Sequence, residues 1–457
     1  MSGSSLIAVA LILPFVGALL VALAGRAAVL RDALVMIVPL ALLGVVAQLP
    51  ALVLDGRTAS LLLVEMMPGL SLRLEAEPLG VLFACVAALL WPIASLYSIG
   101  YLRGNREKHQ TRFHACFALA IGGTMGVALA GNLLTLFVAY ELLTLSTYPL
   151  VAHKGNDHAI AGARTYLGIL LLSSIGLLLP AIIWTWVAAG TLEFTPGGIL
   201  AGKLDAGPLG ILLLLYAYGI GKAALLPMHR WLPAAMVAPT PVSALLHAVA
   251  VVKAGVFSIL KVVTYVFGTD LLRSLAASDW LFAIAAATVL IASTIALRQD
   301  NLKRRLAYST ISQLSYVVMG AMILAPLSLV GAALHIAAHA FGKITLFFAA
   351  GSIYTASHKT EISQLDGIGW RMPWTMTAFS IGALSMIGIP PAAGFLSKWY
   401  LLLGAWQAEH VTAALVIIIS TLLNAAYFVP IIYAAWFRQP VDEAPHGEAP
   451  VSIVISL

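Results

Sequence analysis

Five lysines and one glutamate stand where charge is expensive. Lys222, Lys253, Lys261, Lys343 and Lys398 fall inside long apolar stretches, and Glu141 is the one acidic residue well inside such a stretch. On a membrane insertion scale each costs about 2.5–3.5 kcal/mol at a helix centre, so the six together cost on the order of 15–20 kcal/mol. Chance does not keep such a set without compensation. All five bases are lysine and none is arginine. Arginine does not deprotonate in proteins, whereas a desolvated lysine can cycle its proton. The residue types therefore favour proton handling over static pairing. Glu141, as a carboxylate in a low dielectric, needs a cationic partner or a proton. Pairing with a lysine is expected, and the pairing would bias that lysine's proton affinity.

Histidines extend the set. The stretch LHIAAHAFGKITLFF spaces His335, His339 and Lys343 at i, i+4 and i+8. A helix puts these on one stripe at roughly 6 Å per step, the spacing of a proton ladder through trapped water. The histidine pair could also ligate a metal, but no acidic or thiol third ligand is near, so no metal is expected. His247 lies six positions before Lys253. Imidazole titrates near neutrality and relays protons either way. Lys261, nearer the end of its stretch, could instead snorkel toward the surface.

These groups need breaks as well as helices. Gly219, Gly221 and Pro227 flank Lys222, Pro239 and Pro241 precede His247, and Gly388, Pro390, Pro391 and Gly394 precede Lys398. Broken helices expose backbone groups to ions and water at mid-membrane. His229 and Arg230 are expected at the membrane face, with Trp231 as an aromatic belt residue.

The chain supplies the elements to hold them. It has 457 residues, 61% apolar and only 10% charged. A soluble domain averages about 25% charged. A soluble enzyme, a disordered chain and a nucleic-acid binder are excluded, and continuous apolar runs disfavour a β-barrel. The expectation is an all-α polytopic membrane protein. Thirteen apolar windows are readable, and a fourteenth begins near Pro450 and stops at Leu457. About 14 transmembrane helices are expected, the last truncated.

Basic residues sort by side. Sixteen lie in connections after odd-numbered windows, such as Arg103, Arg112, Lys154 and Lys303, and four lie after even-numbered ones: Arg57, Arg73, Lys203 and Arg273. The positive-inside rule then puts the N-terminus outside. The net charge of +6 is a topology signal. Residues 1–112 are expected to hold spans 1–3 with an extramembrane loop at 55–77. Residues 113–267 form a first five-helix repeat (spans 4–8), and 279–437 a second, inverted repeat (spans 9–13). Breaks fall in helices 7 and 12, and 438–457 are a linker and the start of span 14.

Other motifs are weak. Cys85 and Cys116 form no redox or metal spacing. The stretch from Gly197 to Leu204 resembles a phosphate-binding loop but has Leu204 where magnesium binding needs Ser or Thr. Gly122 and Gly126 suggest close helix packing.

These residues, in this order, resemble the antiporter-like family of proton-conducting subunits. That family includes membrane-arm subunits of respiratory complex I, related subunits of membrane-bound hydrogenases, and the A-type and D-type subunits of Mrp cation/proton antiporters. The resemblance runs from about Pro78 to Phe437 and is carried by the spans around Glu141 and Lys222, by HRWLPAAMVAPTPVSALLHAVAVVK, NLKRRLAYSTISQLSYVVMG, LHIAAHAFGK and GIPPAAGFLSKWYLL. The wording is nearest the D-type branch of the Mrp antiporters. It implies that Glu141 and Lys222 act as a coupled pair, that Lys253, His335, His339 and Lys343 form a central polar axis, and that Lys398 is the terminal lysine. Lys398 stands where some complex I members carry glutamate. The resemblance implies no quinone, flavin or iron–sulfur site, and no cofactor. It implies other membrane subunits as partners in a hetero-oligomeric complex, in a bacterial or archaeal inner membrane type of cell membrane. The carried ion would be H⁺, with Na⁺ or K⁺ as further candidates. A redox-driven pump, a purely structural subunit and a partner in inorganic-carbon uptake are the alternatives.

Overall fold

A computed structural model describes residues 2–57, 59–67, 69–440 and 447–457. The chain is a predominantly helical membrane protein. Helix occupies all thirteen apolar windows, and among the described residues nine helices are long and apolar enough to cross a membrane. Their boundaries have local causes. Asn132 accepts the backbone N–H of Thr135 and so starts the helix Leu133–Val151, which carries Glu141. Asn156 and Asn301 cap Asp157–Ser173 and Leu302–Met322 in the same way. Such caps satisfy donors that the first turn leaves unpaired. Gly190 ends Leu179–Ala189 at φ +72°, a backbone conformation open to glycine.

The helix Thr240–Phe267 forms the centre, and its most apolar stretch is wholly buried. It packs against Gln110–Ala128, Leu133–Val151, Leu302–Met322 and Pro326–Ser357. The last of these is 32 residues long and starts with Pro326 in its first turn. The helix Gly3–Leu23 lies outside this centre and packs on Gln110–Ala128. A Cβ at Gly122 would overlap the Phe15 ring, and one at Gly126 would lie 2.8 Å from the Ala139 Cβ, so both glycines serve close helix packing. Asp32 accepts from Arg31 at 2.8 Å and also contacts Arg103, tying Ala28–Val46 to Pro78–Gly104.

Both expected breaks are present. Ala206–Gly219 stops at Gly219, and the chain passes through short turns at Gly221–Ala223 and Met228–Arg230. Pro373–Ile387 ends at Gly388, with φ +93°, and helix resumes at Ala393–Gln407.

The segment 55–77, expected as an extramembrane loop, contains a β-hairpin. Strands Ala59–Met67 and Leu70–Ala76 pair antiparallel, with Ala59 opposite Ala76. The run LSLRLEA alternates apolar and polar residues, which is the strand period. Trp231 is not a belt residue. It is fully buried, and its indole N–H donates to the Gly221 carbonyl at 3.0 Å, fastening the first break. Of the linker 438–457, residues 441–446 lie outside the described residues. Beyond them Glu448 accepts the Trp374 backbone N–H at 2.7 Å, and the short helix Val451–Val454 packs on Pro78–Gly104 beside Gly100.

Candidate proton-path site

Lys222 lies in the first break and is fully buried. Its ammonium donates to the Tyr140 carbonyl at 2.7 Å and to the Thr144 hydroxyl at 2.5 Å. It also lies 3.0 Å from the centre of the Tyr140 ring. The Tyr140 hydroxyl in turn accepts the Lys222 backbone N–H at 3.0 Å. Lys222 is thus clamped to the turn of Leu133–Val151 that carries Glu141, but not to Glu141. No ion pair joins the two among the described residues, and the Glu141 Oε1 atom is buried without a partner. The two are not in ion-pair contact; the Tyr140 carbonyl and the Thr144 hydroxyl hold the ammonium directly.

Gly255 permits this arrangement. A Cβ there would overlap the Lys222 carbonyl carbon and the Ala223 nitrogen. Gly255→Ala is expected to destabilise the protein by about 1–3 kcal/mol, as overpacking does, and to displace Lys222. Thermal unfolding in detergent checks this, against Gly207→Ala, where nothing lies within 4 Å of the added carbon.

Lys253 and His339 meet directly: the lysine Nζ contacts the histidine Nδ1. This contact joins Thr240–Phe267 to Pro326–Ser357, helices that belong to different expected repeats. The histidine stripe is present, with His335 and His339 ring centres 6.1 Å apart. The stripe does not form a directly bonded ladder, because each member takes a different partner. His335 Nδ1 meets the Ser397 hydroxyl at 2.9 Å. The Lys343 ammonium donates to the Ser309 hydroxyl at 2.5 Å and the Leu306 carbonyl at 3.2 Å. His247 is buried with neither ring nitrogen partnered, its ring 4.7 Å from that of Phe347.

Lys398 closes the series. Its ammonium donates to the Met386 and Ile387 carbonyls at 2.9 Å each. These are the last carbonyls of Pro373–Ile387, where the helix dipole favours a cation. The two breaks therefore use their lysines differently: Lys222 reaches out to a neighbouring helix, and Lys398 folds back across its own break. Among the breakers, Pro227, Pro239 and Pro241 lie between Lys222 and His247, and Pro390 and Pro391 lie between the two halves around Gly388.

Sequence reasoning missed several groups. Thr144, Ser309 and Ser397 hold the titratable side chains. Gln313 and Asn424 add buried side-chain atoms without partners beside Tyr427. Lys261 does not snorkel to the surface; it is buried and contacts Glu77. Among the described residues no group of three His, Cys, Asp or Glu is arranged to hold a metal.

The fold sets the class: a helical membrane protein with lysines and histidines buried among its helices. Residues 130–424 match the family described as NADH:quinone oxidoreductase/Mrp antiporter, transmembrane, and the chain belongs to that family. It is 34% identical over 389 residues to the N subunit of the NADH-quinone oxidoreductase of Desulforudis audaxviator, covering 84% of this chain and 76% of that one. It is 27% identical over 379 residues to the D subunit of the Na(+)/H(+) antiporter of Alkalihalophilus pseudofirmus, covering 81% and 74%. A chain in the structure of the Mrp complex from Dietzia sp. superposes with a TM-score of 0.85 at 24% identity, over 99% of this chain and 86% of that one.

Proposed function

We propose that this chain carries protons across a membrane, alone or in exchange for Na⁺ or K⁺, as one member of a multisubunit complex. The contact that carries the proposal is Lys253 against His339. It joins the helix that packs on the first break to the helix that carries His335 and Lys343, and Lys222, Lys253, His335, His339, Lys343 and Lys398 are all buried, with Glu141 half-buried beside Lys222's partners. Gaps in the row coincide with polar atoms that lack protein partners: Glu141 Oε1, both nitrogens of His247, and Nε2 of His335 and of His339. A buried polar group left unsatisfied costs about 1–3 kcal/mol, and internal water is the usual partner. Water there would bridge the row.

The switch is electrostatic. When Glu141 approaches Lys222, the charged ammonium is favoured. When the two move apart, Tyr140 and Thr144 still hold the lysine and its proton can pass toward Lys253. One elementary charge crossing the membrane is worth about 2.3 kcal/mol per 100 mV, and one pKa unit about 1.4 kcal/mol. A change of two or three units at one lysine therefore gates the step.

The two breaks support a division into inverted repeats at 113–267 and 279–437. The basic connections support an N-terminus on the outer face of a cell membrane. The experiment is proton flux in vesicles holding the complete complex. Flux that depends on added Na⁺ or K⁺ supports the antiporter form, and no flux under any driving force contradicts transport. The 34% identity to a component of an NADH-quinone oxidoreductase favours a second form, a pump driven by a redox partner. Flux that appears only with the partner's electron donor supports that form.

A further inference from the structure

One buried ionic contact has no place in that row. The Lys261 ammonium contacts the Glu77 carboxylate and lies 4.0 Å from the centre of the Phe194 ring and 4.6 Å from that of Tyr265. The lysine side chain is 1% exposed and the glutamate 13%. The carboxylate therefore reaches the edge of the protein while the ammonium does not. Glu77 immediately precedes Pro78–Gly104 and follows the strand Leu70–Ala76. Phe194 is fixed by its backbone N–H to the Gly131 carbonyl at 3.2 Å, and Glu75 N–H donates to the Leu129 carbonyl at 2.7 Å. These connections hold few basic residues, so the pair lies on the face opposite the basic loops.

The helix Thr240–Phe267 leads there from the row. Lys253 and Lys261 are eight positions apart, about 12 Å along the axis. Two π-helical turns interrupt this helix. One, Leu245–Val249, contains His247, and the other, Val262–Phe267, starts directly after Lys261. Such turns are rare and concentrate at functional sites. At the opposite end, Thr240 lines a cavity of about 180 Å³ together with Lys154, Lys303 and Lys359, on the basic face. One buried helix thus carries His247, Lys253 and Lys261 from a cavity near one face to a carboxylate at the other.

We propose that Lys261 and Glu77 form the gate through which protons pass between Lys253 and the face opposite the basic loops, an inference that rests on the transport reading. In the outward direction an N–H bond of the Lys261 ammonium breaks and an O–H bond forms on Glu77. A neutral amine faces a neutral acid. Glu77 then releases the proton to water at its exposed edge. The Lys261 amine takes up a proton that leaves the Lys253 ammonium through intervening water. One proton moves and no electron does. A contact that only pinned the hairpin would need no charge, since buried ion pairs are often replaceable by apolar residues without loss of stability.

Lys261→Arg separates the two roles. Arginine keeps the ion pair and the ring contacts but does not give up its proton. Glu77→Gln, made independently, keeps an acceptor but cannot take the proton. In vesicles holding the complete complex, each variant is expected to assemble and to lose proton flux by at least tenfold, with wild type as reference. Either variant that assembles and keeps more than half the wild-type flux overturns the gate and leaves the transport reading intact. A wild-type complex that carries no protons overturns both.

Discussion

Lys253→Met is expected to reduce proton flux by roughly a hundredfold or more, the scale on which a positioned proton donor contributes. Lys253 is the crossing point of the structure. It meets His339 directly, it is two helical turns from Lys261, and it follows His247 on the same helix. Among the described residues no other lysine is hydrogen-bonded to an imidazole of Pro326–Ser357. Methionine fills a similar volume and removes the buried charge, so assembly should survive. His339→Leu is expected to have an effect of the same order. Because the two groups act in series, the double variant should be little worse than the more damaging single one. Flux in vesicles, with complex content quantified, checks all three. Multiplying losses would mean that the two residues contribute independently rather than as one unit.

Glu141→Gln and Lys222→Ala are expected to reduce flux by about ten- to a hundredfold, because two pKa units, or about 2.7 kcal/mol, separate the gated from the ungated lysine. The structure gives the two variants different side effects. Glu141 Oε1 has no partner, so glutamine there loses no protein contact. Lys222 satisfies the Tyr140 carbonyl and the Thr144 hydroxyl, so alanine leaves both without that donor. Lys222→Ala should therefore also lower thermal stability, by about 1–3 kcal/mol, while Glu141→Gln should not. If both leave flux intact in a normally assembled complex, the coupled pair is wrong.

The titratable side chains are legible in the sequence because an ionisable residue inside an apolar run has no ordinary reason to be there. Lys222, Lys253, His339, Lys343 and Lys398 are all buried as that logic requires. What holds them is not legible. Lys222 and Lys398 are bound largely by backbone carbonyls of Tyr140, Met386 and Ile387, and a carbonyl leaves no mark in residue type. Ser309 and Ser397 look like ordinary small helix residues until another helix brings a lysine or a histidine to them. Glu77 reads as part of a connection because it adjoins one. Its burial against Lys261 depends on a hairpin that only the alternation in LSLRLEA signals. The apolar periodicity locates the helices, but it cannot distinguish an α-turn from the π-turns at His247 and after Lys261.

The same limit explains Glu141. Counting charges identifies it as the one core acid, and such an acid requires a partner. Whether the partner is engaged depends on the rotamer of Lys222 and on which acceptors Leu133–Val151 presents, and both are tertiary facts.

The central claim is that the buried lysines exchange protons rather than supply fixed charge. Proton flux through the complete complex carrying Lys253→Arg tests it most directly, because arginine retains the charge and loses only the ability to release the proton. The account predicts an assembled complex with flux reduced by roughly a hundredfold. An assembled Lys253→Arg complex with wild-type flux would contradict it.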